Sequence, residues 1–166
     1  MSITLKDIFE LIQICIKAKP QVTNRDLRCL VTKVFNRVLK NYTTFTGYVS
    51  ENAITAIKEM NGIYQKHKIV REHHKKIHRS ITELIKNMRE TNQWDYHLFE
   101  KKIIELSSVN ITTVKENQQL IAQGSTYQSV GIKLIHWNML DLNVKIIIHD
   151  HLLRSDIINR SDWLAT

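Results

Sequence analysis

The sequence predicts a mainly helical single domain with two or three short strands in its second half, an arrangement that also fits the α+β class. Three observations predict it. Gly (4) and Pro (1) are scarce among the 166 residues, which disfavours turn-rich sandwiches, barrels and propellers. Apolar residues recur at helical spacing through most of the chain. The clearest runs rich in Val, Ile and Thr come after residue 62. With 43% apolar and 24% charged residues, the composition is that of a folded chain rather than a disordered one. A chain of this length buries roughly 70% of its unfolded surface, so it needs no disulfide or metal to fold.

Residues 1–62 read as an N-terminal helical part. Ser2 can cap a helix to about Lys19, with Leu5, Ile8, Phe9, Ile12 and Ile16 on its apolar stripe, and Pro20 ends it. Thr23 or Asn24 then caps a second helix carrying Leu27, Leu30, Val31, Val34, Phe35, Val38 and Leu39. Residues 41–48 form a polar, β-prone connector. Ser50-Glu51-Asn52 opens a third helix to about Met60, closed by Asn61-Gly62.

Residues 63–166 read as a mixed part. Residues 63–70 suit either a short strand or the start of a helix. Residues 71–88 predict a helix whose core face is Ile77, Ile81, Leu84, Ile85 and Met88. Another helix is expected at 96–106, a strand at 107–114 (SSVNITTV) and a short helix at 115–123. Strand-like runs (KLIHW, VKIIIH) follow between 132 and 149, then a terminal helix over 150–163. No linker interrupts the chain. No apolar run reaches the roughly 18 residues that span a bilayer. The first twenty residues read as a helix rather than a signal peptide. Cys15 and Cys29 fall inside apolar helical patterns, so buried thiols in a cytoplasmic protein are expected.

Charge directs the functional reading. Lys+Arg 24 against Asp+Glu 16 gives +8, a balance that favours polyanions and above all nucleic acid. The densest constellation is Lys66 to Arg79, KHKIVREHHKKIHR, with six Lys/Arg, one acid and four of the eight histidines. Lys66, Lys68, Lys75, Lys76 and Arg79 are candidate phosphate contacts. His67, His73, His74 and His78 titrate near neutral pH and suit proton transfer. A structural zinc is disfavoured, because cations flank every histidine of the segment. His149-Asp150-His151 is a weaker ligand set. Trp94, Trp137, Trp163, Tyr64, Tyr96 and Tyr127 serve either as core residues or as stacking platforms for bases.

Two nuclease families are resembled on these residues. Lys68-Ile69-Val70 running into Glu72-His73, with the strand 109–114 leading into Lys115-Glu116-Asn117, resembles the HNH, or His-metal finger, nucleases. That resemblance implies His73 as general base, with Glu72 and Asn117 holding one Mg²⁺-type ion. Arg71 and His78, seven residues apart and so two turns along one helix, resemble the Arg–His pair of the all-helical HEPN RNases. That resemblance implies a metal-free site doubled in a homodimer, attacking through the ribose 2′-hydroxyl. The expected function is thus a nucleic-acid-acting protein, a small nuclease of toxin or defence type using segment 66–79, with either no cofactor or one divalent cation. The alternative is a non-catalytic nucleic-acid-binding or protein-interaction module, for which the histidines simply line a solvated basic face.

Overall fold

The computed structural model describes residues 3–27, 29, 38, 41–60, 63–73, 77–123 and 126–164, with backbone only at 77–79 and 123. The fold is mixed α+β and mainly helical, with one four-stranded sheet. The chain forms two compact units that interleave in sequence: Met1–Thr43 with Lys75–Ser107, and Thr44–His74 with Ser108–Thr166.

The first unit is helical. Helix α1 (Leu5–Ala18) starts on Thr4, not Ser2: Thr4 Oγ1 accepts the Asp7 amide and the Asp7 carboxylate accepts the Thr4 amide, a capping box. The turn at 24–27 is helical and is capped by Thr23, whose Oγ1 accepts the Asp26 amide. Most of the second expected helix lies outside the described residues. Cys15 is half-buried and Cys29 exposed, so the expected burial fails for Cys29. Two further helices, α3 (Ile77–Thr91) and α4 (Tyr96–Leu106), complete the unit. Their buried residues Ile81, Ile85, Met88, Phe99 and Ile103 join Leu5, Ile8, Phe9 and Ile12 of α1 in one core.

The second unit carries the sheet, in order β2-β3-β1-β4. Strand β1 (Thr44–Ser50) arises where the sequence suggested only a connector, because Phe45 and Val49 are buried while Thr44 and Thr46 alternate with them. Helix α2 (Glu51–Glu59) follows at once, with Ser50 Oγ accepting the Ala53 amide. Strand β2 (Ile69–His73) pairs antiparallel with β3 (Ser108–Thr113), Ile69 opposite Thr113 and Glu72 opposite Asn110. β3 runs parallel to β1, and β4 (Leu134–His136) pairs antiparallel with β1. Helix α5 (Val114–Gln123) packs on both β2 and β3.

Helix α6 (Leu142–His151) replaces the second strand-like run, and residues beyond it form turns and a short 3₁₀ segment at Arg160–Trp163 rather than a terminal helix. The β-branched run Val144–Ile148 is overridden by packing: Val144 and Ile148, one turn apart, are both buried. One sheet face, with Phe45, Val49, Ile69, Val109 and Ile111, packs against Ala53 and Ile57 of α2, Val144 and Ile148 of α6, and Trp137. The other face carries Thr44, Thr46, Glu72, Ser108, Asn110 and Thr112. Among the described residues no helix is long and apolar enough to cross a membrane.

Candidate functional site

The polar sheet face gathers the groups that can do chemistry. On a strand, residues directly opposite share a face, so the Glu72–Asn110 register pair sets a carboxyl beside an amide. Thr46 Oγ1, on β1, donates to Asn110 Oδ1. Tyr127, from the segment after α5, donates its hydroxyl to Glu72 Oε2. Asn110 is 1% exposed and Thr112 is fully buried. Asn110 Nδ2 and Thr112 Oγ1 find no hydrogen-bond partner, an uncommon state for buried polar atoms and one that marks spare capacity for a ligand or water. The Asn110 amide sits near the Tyr127 oxygen without closing a hydrogen bond.

Burial sets the proton affinities here. It pushes the Glu72 carboxyl above the usual carboxylate range, and the Tyr127 hydrogen bond offsets part of that rise. Burial, and then the bond to Glu72, drives the Tyr127 hydroxyl well above its ordinary value, so it stays a donor. A half-buried carboxyl with raised proton affinity, held by a neutral donor, is suited to acid–base work near neutral pH.

Not all of the expected residues converge there. Arg71, Glu72 and His73 lie on β2, not on the helix expected from 71 to 88, which begins only at Ile77. The β-branched pair Ile69-Val70 extends the ladder to His73. The two-turn helical relation between Arg71 and His78 therefore does not form. Arg71 lies opposite Ile111 on the apolar face and pairs with Asp156 at 2.8 Å. Strand alternation also parts Glu72 from His73: His73 lies opposite Val109, at the exposed end of the strand. Asn117 is half-buried in the first turn of α5, Lys66 and His67 are exposed beside β2, and Lys68 is exposed at its start. His74, Lys75 and Lys76, and the side chains of His78 and Arg79, lie outside the described residues.

The aromatic residues mostly serve the cores. Trp137 and Trp163 pack on Phe45, Trp94 on Phe9, and Tyr64 stacks on His151 with ring centroids 4.6 Å apart. His149 is bound to Asp150 at 3.2 Å, so 149–151 does not act as a joint ligand set. A Mg²⁺-type ion keeps several waters and takes one or two carboxylates. Glu72 already accepts a hydroxyl, the Asn110 amide beside it is a donor, and among the described residues no three His, Cys, Asp or Glu gather to hold a metal. These residues do not fit a resident ion.

Sequence reasoning missed Thr46, Asn110 and the role of Tyr127. Asn110 had a visible signal: an amide inside the most strand-like run of the chain must be buried or lie on a polar face. Tyr127 had none, because only the fold brings it to Glu72. Compared with family models, curated proteins and solved structures, the chain gives no match.

Proposed function

We infer that the protein acts on nucleic acid as a small nuclease, with Glu72 as its acid–base group. One observation carries this reading: a half-buried carboxyl of raised proton affinity, fixed by Tyr127, stands beside an unpartnered amide donor on a sheet whose strand β2 begins among cationic residues. In this reading protonated Glu72 gives its proton to the leaving oxygen of a phosphodiester. Asn110 Nδ2 donates to a phosphoryl oxygen as charge builds on it. The antiparallel β2–β3 pair with α5 packed on both strands is the element order behind the HNH resemblance and adds support.

A second reading is a binding module without catalysis, favoured by the mutual satisfaction of Glu72 and Tyr127. Incubation of the purified protein with labelled single- and double-stranded DNA and RNA separates the two. The nuclease reading expects cleavage of at least one substrate, and a Glu72→Gln loss of about 10²-fold or more with binding retained. Binding without cleavage of any substrate leaves only the module.

A further inference from the structure

A cleft of 510 Å³ opens at the far end of the β2–β3 ladder from His73. Its walls include Asn52 from α2, His67 and Lys68 from the approach to β2, and Lys115, Glu116 and Gln119 from α5. Glu116 would seem to make it a cation site, but its carboxylate is already taken. It accepts Ser50 Oγ at 2.6 Å, Asn52 Nδ2 at 3.0 Å, the Thr113 amide at 2.8 Å and Thr113 Oγ1 at 2.9 Å.

Lys68 and Lys115 are both exposed, and neither pairs with an acid among the described residues. The Lys68 carbonyl accepts the Val114 amide, which ties the two cationic segments together by backbone. The first turn of α5 adds the positive end of a ten-residue helix to the same wall. Two ammonium groups, one imidazole and the amide of Gln119 thus converge on a pre-formed polar hollow whose only acid is internally satisfied.

We propose that this cleft seats a backbone phosphate of a polynucleotide, gripped by Lys68 and Lys115. The proposal rests on the nucleic-acid reading above. It adds Lys115 and Gln119, which the basic segment does not contain, and fixes where the strand lies. Lys68 is four residues before Glu72 on an extended chain, about 13 Å at strand rise. The bound strand therefore follows β2 from the cleft toward Glu72.

The test is fluorescence anisotropy of a fluorescein-labelled oligonucleotide across a salt series. Lys68→Ala/Lys115→Ala should weaken binding about tenfold and flatten the slope of log affinity against log salt by about two, one per lost phosphate contact. Lys101→Ala, an exposed lysine of α4, should change neither, and thermal unfolding checks that each variant is folded. An unchanged slope in the double variant overturns the proposal, as does an equal loss in Lys101→Ala. Inorganic phosphate that shifts the amide resonances of Lys68 and Lys115 as tightly as the oligonucleotide makes the cleft a small-anion site and likewise overturns it. A wild-type protein that binds no oligonucleotide at all fails the nucleic-acid reading itself, which is a different result from a wild type that binds through other residues.

Discussion

Glu72 and Tyr127 are each disturbed by burial and each steadied by the other. Their bond sets a signed pH prediction. Protonated Glu72 is the active form, so cleavage is present below its raised pKa and falls as pH rises through it. The Tyr127 hydroxyl lowers that pKa. Tyr127→Phe removes this influence, so the alkaline limb of the pH–rate profile should move to higher pH. A profile with an unmoved alkaline limb would separate Tyr127 from the proton transfer. Arg71 shows the limit of sequence at this scale. Its charge marks it as a phosphate ligand, but strand alternation sends it to the apolar face, where Asp156 takes it. Spacing along the chain cannot distinguish two helical turns from a strand followed by a helix.

At the scale of elements, two features join the second unit. Glu116 is 3% exposed and closes a capping box with Thr113 while accepting Ser50, the cap of α2. One carboxylate thus fastens the starts of two helices. Glu116→Ala leaves several buried donors unsatisfied and should cost about 2–4 kcal/mol of stability, read by chemical unfolding. A loss under half a kcal/mol would mean that water replaces the carboxylate. The Thr-x-x-Glu spacing at 113–116 is legible in the sequence as a helix start, whereas the reach to Ser50 is not, since 66 residues separate them.

Gly47 is the second such feature. It lies in β1 at φ 84, where the β1–β3 register shifts, and the place a side chain would fill is held by the Trp163 ring. Gly47→Ala should destabilise by about 1–3 kcal/mol through steric overlap and backbone strain. A thermal midpoint equal to wild type would show that Trp163 moves aside freely. Helices α1, α2, α4 and α5 and strand β3 were legible because period and caps agree there. Strand β1 and helix α6 were not. β1 is polar because one of its faces carries the site, and α6 is β-branched yet held helical by the packing of Val144 and Ile148.

For the whole molecule, the net charge of +8 is the one property that composition fixes without a fold. It predicts that affinity for any polynucleotide falls steeply between about 50 and 200 mM salt, since each phosphate contact releases counterions. A flat response would remove nucleic acid as the partner. Charge alone does not distinguish binding from cleavage. That distinction rests on one carboxyl, and single-turnover cleavage by wild type and Glu72→Gln measures it most directly, with both proteins saturating the same labelled strand. A drop of about 10²-fold or more at equal saturation is the predicted result. Equal rates for the two proteins would contradict the assignment of Glu72 as the acid–base group.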